Sequence, residues 1–121
     1  MKDIYVDDFD KIKHGERRLI TNGRLEIGVF RVKDSIHAFL NVCPHQGGPV
    51  CQGRVMPRVE ERLSDDMKSV GMSFSEDEFH LVCPWHGYEF KFHTASHAGS
   101  STISIRRYPT KVVEGRVYVS V

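Results

Sequence analysis

A chain of 121 residues, 40% hydrophobic and 27% charged, has the make-up of one globular domain, which excludes a disordered or fibrous protein. Lys plus Arg number 17 and Asp plus Glu 16, and the resulting charge of +1 argues against a nucleic-acid binder that works by bulk phosphate attraction. No apolar run approaches the ~20 residues that cross a bilayer, and the opening MKDIYVDDFDKIKHGE has no apolar stretch like that of a signal peptide. Neither nucleic acid nor membrane is expected as a partner, and the expected location is cytoplasmic.

In chain order, the apolar residues recur with period two. Leu25, Ile27 and Val29 alternate with Glu26, Gly28 and Phe30, and Ile36, Ala38, Leu40 and Val42 alternate with His37, Phe39 and Asn41. Half-buried antiparallel strands read this way, because successive side chains point to opposite faces of a sheet. Asn22-Gly23 precedes the first run and suits the positive φ of a two-residue hairpin turn. Lys33-Asp34-Ser35 is a second turn, and Glu114-Gly115 is a third, leading into Val117, Val119 and Val121. Further strands are expected at 79–83, 88–92 and 103–108, the last ended by Pro109. The fold class is all-β, with no convincing long helix, repeat or linker.

The stretch 54–68, RVMPRVEERLSDDMK, fits two periods. Val59, Leu63, Met67 and Val70 make a helical stripe, whereas Val55, Val59 and Leu63 fit alternation with Pro57 and Glu61 as exceptions. Pro57, and the alternation of Val70, Met72 and Phe74 just beyond, favour a protruding hairpin.

Ligand chemistry concentrates in two segments, Cys43-Pro44-His45-Gln46-Gly47-Gly48-Pro49 and Cys83-Pro84-Trp85-His86-Gly87-Tyr88. Each follows an expected strand and is expected to be a loop. Two thiolates and two imidazoles can satisfy a tetrahedral zinc ion or hold a two-iron cluster. Structural zinc pairs usually have two to four residues between ligands, and Cys-x-His has one. A two-iron cluster relaxes that limit, because the Cys and His of one loop can go to different irons. Glycines let a loop approach the sulfurs closely, and Pro44 and Pro84 fix φ after each cysteine.

CPHQGGP followed by CPWHGYEF resembles the Rieske [2Fe–2S] proteins, particularly the small soluble ferredoxins of aromatic-ring oxygenases. Asp34–Val42 resembles the strand that leads into the cluster, and KVVEGRVYVSV resembles the closing strand pair. The resemblance implies one domain over 1–121, a Rieske-like antiparallel β-sandwich with a small cluster-binding subdomain formed by two loops. It implies that Cys43 and Cys83 bind one iron of a [2Fe–2S] cluster and His45 and His86 the other, and that electrons pass through the histidine-bound iron. It also implies a non-catalytic electron carrier whose donor is a flavin-containing reductase and whose acceptor is a terminal oxygenase. Two ferric ions, two sulfides, two thiolates and two neutral imidazoles sum to zero charge, so adding an electron costs less than with four thiolates. Potentials across the class run from roughly −150 to +300 mV. Trp85 stands where Rieske subunits of respiratory complexes have a second loop cysteine, so Cys51 has no inter-loop disulfide partner, as in the ferredoxin branch. Between His45 and Cys83 lie 37 residues, more than the family's usual spacing, and the excess at about 54–78 is an insertion.

Two rival functions fit the same residues: a cluster-bearing subunit of a stable oxidoreductase complex, with 54–78 as its contact surface, and a Cys2His2 structural zinc module. Outside the four ligand candidates the readings are structural. Cys51 is expected to be a small packed side chain. His93 and His97 are expected in a solvated loop, and His37 and His80 on partly exposed sheet faces. Trp85 and Tyr88 are expected to pack on the second loop. The acidic runs Asp7-Asp8, Asp65-Asp66 and Glu76-Asp77-Glu78 are expected in solvated turns.

Overall fold

Ile27, Gly28, Val29 and Phe30 are buried in succession, and a strand with four consecutive buried residues must be covered on both faces. The computed structural model describes residues 2–44, 47–63, 69–84, 89–92, 94–98 and 100–121, and shows what covers them. The strands are β1 (Asp3–Asp8), β2 (Arg17–Asn22), β3 (Leu25–Val32), β4 (Ser35–Leu40), β5 (Arg54–Leu63), β6 (Ser69–Val82), β7 (Glu89–Lys91), β8 (Ser96–His97), β9 (Ser100–Ser104), β10 (Arg107–Tyr108), β11 (Thr110–Val113) and β12 (Arg116–Ser120). Two short 3-10 turns, Phe9–Lys11 and Val50–Gln52, complete the described elements. Every strand pair is antiparallel, as the alternation implied. No helix among the described residues is long and apolar enough to cross a membrane.

Three sheets form, with strand orders β1-β12-β11, β10-β4-β3-β2 and β5-β6-β7-β8-β9. The second sheet separates two apolar cores. On one face Ile27, Val29 and Ala38 pack with Ile12, Tyr108, Val117 and Val119. On the other, Phe30 and Phe39 pack with Val50, Leu81, Phe90 and Phe92, and with Cys43, Cys51 and Cys83. Each buried Phe contributes about 1.5–3 kcal/mol of transfer free energy, and Phe30 and Phe92 meet edge to face at 5.3 Å. The molecule is thus an antiparallel β-sandwich in which one core is shared with both expected loop cysteines.

The turns follow their residues. Glu114 and Gly115 take φ 51 and 76, the two left-handed positions of a hairpin turn whose twist suits its strands. In the first hairpin Asn22 pairs with Leu25, so the two loop residues are Gly23-Arg24, one position beyond the Asn22-Gly23 expected. In the segment 54–78 the described residues, 54–63 and 69–78, are strand and pair antiparallel, β5 with β6, as the hairpin reading expected. Pro57 is tolerated because β5 is an edge strand that need not donate on its free side. Between Pro57↔Phe79 and Val59↔Phe74 the register slips, leaving residues 75–78 opposite Arg58 alone. The acidic run Glu76-Asp77-Glu78 therefore lies at a bulge within β6 rather than in a turn. Asp65-Asp66 lies outside the described residues.

Two expected strands are shorter or divided. Among the described residues of 88–92 the strand covers Glu89–Lys91 and leaves out Phe92, and 103–108 divides at Ile105-Arg106, where the chain leaves β9 for β10 and so moves between sheets. Strand β1 was not anticipated, because its acidic residues mask the pair Ile4 and Val6, which pack against the Val117 core.

Candidate metal centre

The first loop begins where β4 has ended and Asn41-Val42 carries the chain to Cys43; the second begins directly after β6, at Cys83. Both cysteines are buried, at 2% and 1% exposure, in the same apolar core, and neither is in a disulfide. Two buried free thiols that follow strands of two different sheets and share one apolar core are soft donors of the kind a soft metal centre takes. His45 and His86, the other two ligand candidates, lie outside the described residues, as do Trp85, Tyr88 and His93. Among the described residues no three of His, Cys, Asp and Glu gather as a metal site.

The described ends of the first loop are bonded to each other. The Cys43 N–H donates to the Gly48 carbonyl at 2.7 Å and the Gly47 N–H donates to the Cys43 carbonyl at 2.7 Å. Gly47 has φ +74, where a side chain is strained, yet a Cβ there would meet nothing within 4 Å. Backbone conformation, not crowding, is what requires glycine at this position.

Crowding decides two other glycines. Gly28 lies under the first loop's exit turn, and a Cβ on it would stand 2.5 Å from both Cβ and Sγ of Cys51. Gly53 has an ordinary φ of −76, but a Cβ on it would stand 1.8 Å from the Val82 carbonyl oxygen. Val82 directly precedes Cys83, so the end of the first loop's turn rests on the root of the second loop.

Cys51 is fully buried, as expected of a packed side chain. Burial pushes its thiol up to about 12, and its Sγ–H donates to the Phe39 carbonyl at 3.5 Å. Its backbone is held at both ends. Its N–H donates to Asn41 Oδ1 at 2.7 Å, and Asn41 Nδ2 in turn donates to Glu26. Its carbonyl accepts from Arg17 Nη1 at 2.7 Å, and the same nitrogen donates to the Gly53 carbonyl. The guanidinium stands 5.1 Å from the Phe30 ring centre. Burial lowers the Arg17 pKa from its usual value, without bringing an arginine near deprotonation.

These holding residues escaped the sequence reading. Asn41 carried a signal, being polar in the alternation Ile36 to Val42; Arg17 and Glu26 carried none, because their partners lie far along the chain. His80, expected on a partly exposed face, is instead buried, with Nδ1 at 3.3 Å from Glu89 Oε1. β6 is interior to its sheet, so His80 is flanked by Met56 on β5 and Lys91 on β7. His97, expected in a solvated loop, is half-buried in β8 and meets the Phe90 ring edge to face at 5.8 Å. His37 is half-buried and stacks parallel on Phe39, as a sheet-face residue can.

The sequence model of the family described as the Rieske [2Fe–2S] domain matches residues 2–109. No curated protein matches the sequence. Among solved structures, the chain is similar to the ferredoxin of carbazole 1,9a-dioxygenase from Nocardioides aromaticivorans IC177, at 21% identity over 99% of this chain and 98% of that one, with a TM-score of 0.69. It is similar to a chain in a complex of reduced oxygenase and oxidised ferredoxin of carbazole 1,9a-dioxygenase, at 23% identity, 98% and 92% coverage and a TM-score of 0.72. It is equally similar to a chain provisionally described as the small subunit of an NADH-dependent nitrite reductase from Mycobacterium tuberculosis, at 20% identity, 98% and 93% coverage and a TM-score of 0.72.

Proposed function

Because the chain belongs to the Rieske [2Fe–2S] domain family, and is thereby a Rieske-type electron carrier, we propose that it shuttles single electrons from a flavin-containing reductase to a terminal oxygenase. The observation that carries the ligand reading is the burial of Cys43 and Cys83 in one apolar core at the mouths of two loops. On this reading Cys43 and Cys83 hold one iron and His45 and His86 the other. The cluster, when bound, supplies a site that accepts and releases one electron. The chain's own residues exclude water from the thiolates, since Phe39, Val50, Leu81 and Phe90 share their core. The chain is read as one domain with the hairpin at 54–78 inserted between its loops, working in the cytoplasm, and as a carrier with no reaction of its own.

Likeness to dioxygenase ferredoxins supports the oxygenase as acceptor. Likeness to a nitrite reductase small subunit favours the second reading, a subunit that lends its cluster to a stable oxidoreductase complex. Purification decides between them. The carrier reading expects a coloured protein with two irons and two acid-labile sulfides per chain that is reduced and reoxidised reversibly by itself. Co-purification in fixed stoichiometry with a larger reductase subunit, and loss of the cluster when separated from it, would overturn the carrier reading in favour of the second. A colourless protein with one zinc ion would sink both.

A further inference from the structure

The Arg17 guanidinium lies outside both loops, on β2, an edge strand of the middle sheet, yet its contacts converge on the place where the loops meet. The last carbonyls of a helical turn have no partner within it, and Cys51 and Gly53 carry such carbonyls at the end of the turn Val50–Gln52. Arg17 Nη1 donates to both. Gly53 then rests on the Val82 carbonyl, one residue before Cys83. From the other end, Asn41, two residues before Cys43, holds the Cys51 N–H. One short segment, 51–53, is therefore tied to the residues that lead into each cysteine, and Arg17 adds a side chain that fastens both its Cys51 and its Gly53 carbonyl to the edge of the middle sheet, beside the Cys51 thiol's bond to Phe39 on β4. The guanidinium is itself fixed over the Phe30 ring, and a planar, multiply donating cation suits two nearby carbonyls better than a single ammonium does.

We propose that Arg17 is a positioning residue for the metal centre, clamping the 51–53 segment so that the Cys43 and Cys83 loops keep a fixed spacing. The inference rests on the reading that these two loops hold the [2Fe–2S] cluster. It assigns Arg17 a role at the centre without contact to a ligand: the clamp governs how firmly the centre is retained and how its loops are set, more than whether the sandwich folds.

The test compares Arg17→Met and Arg17→Lys with Val117→Ala in the cluster-loaded full chain. Val117 lies in the other core, across the middle sheet, so its truncation lowers stability without touching the clamp. Cluster loss to a chelator is followed by visible absorbance at a temperature where the far-ultraviolet circular dichroism of every variant is unchanged. Arg17→Met is expected to lose its cluster at least tenfold faster than the parent and to alter the cluster's visible circular dichroism. Arg17→Lys should lie between the two, and Val117→Ala should match the parent in both readouts. Equal decay rates in Arg17→Met and Val117→Ala would overturn the proposal. A parent-like rate in Arg17→Lys would overturn it even if Arg17→Met fails to fold. A parent chain that holds no cluster would instead refute the reading beneath it, and so the two failures are distinct.

Discussion

Replacing Gly53 with Ala puts the idea of a shared loop base to a quantitative test. The new Cβ would stand 1.8 Å from the Val82 carbonyl oxygen, 2.8 Å from its carbon and 3.1 Å from the Val50 oxygen. Carbon and carbonyl oxygen tolerate an approach of about 3.3 Å, so roughly 1.5 Å of separation must be found. All three obstacles are backbone. Val82 pairs with Arg54 on one side and Glu89 on the other, so it cannot retreat without breaking the ladder. Overpacking of this kind costs about 1–3 kcal/mol, with the upper end expected where nothing yields. For a domain of this length, 3 kcal/mol corresponds to a fall of about 10–15 °C in Tm. The separation opens at the foot of both loops, so iron and sulfide content should fall at temperatures where the far-ultraviolet signal is still native. Gly23→Ala is the control: φ is +63 there but a Cβ would meet nothing within 4 Å, so only conformational strain of about 1–2 kcal/mol applies. The reasoning is refuted if Gly53→Ala melts with or above Gly23→Ala and retains its full complement of iron.

Four further outcomes follow, three from the packing at Cys51 and one from the charge of the proposed centre. Gly28→Ala drives a Cβ to 2.5 Å from Cys51 Cβ and Sγ and should cost about 1–3 kcal/mol, most of it recovered in the double variant with Cys51→Gly; urea unfolding of the double that is no better than the single would contradict the contact. The Cys51 thiol, raised to about 12 by burial, should resist alkylation in the native chain at pH 8, where about one molecule in ten thousand would be thiolate. Because its folded pKa exceeds the unfolded one, the unfolded chain releases this proton first, so stability is intact below pH 9 and declines as pH rises from 9 towards 12, by up to about 1.4 kcal/mol per pH unit. Cys51→Ala should lose that increment of alkaline decline in urea titrations against pH, and an unchanged slope would count against it. His86→Cys adds a negative charge to the proposed centre and should retain a cluster of lower midpoint potential; a voltammetric midpoint that is unchanged or higher would contradict the ligand assignment.

What the sequence made legible is what depends on neighbours in the chain. Period-two alternation located β3 and β4, and Glu114-Gly115 announced its own turn, because strand faces and left-handed φ are properties of a few adjacent residues. Cysteine, proline and glycine spacing marked the places where the chain has left β4 and β6, at Cys43 and Cys83, for the same reason. What it hid depends on the sheet's company. His80 reads as a partly exposed residue until β5 and β7 flank β6 on both sides. Residues 103–108 read as one strand until the chain changes sheets at Ile105. β1 hides behind its aspartates because two apolar residues, Ile4 and Val6, are too few to signal a strand without β12 beside them.

The same division accounts for the way the centre is built. The proposed donor set is local in the sequence: two short segments carry all four candidate ligands. The spacing of those segments is not local, since it depends on Gly28 beneath Cys51, Gly53 against Val82 and Arg17 bridging both carbonyls. A chain with 37 residues between His45 and Cys83 cannot set that spacing by loop length, for a flexible connection of that size constrains its ends weakly. The long β5–β6 hairpin solves this by pairing Arg54 with Val82, so that the intervening chain leaves and returns at the same place. Its outer part can therefore vary in length without moving Cys83 relative to Cys43. On the reading proposed above, this is the physical reason a long hairpin between the two loops is compatible with a metal centre held by both.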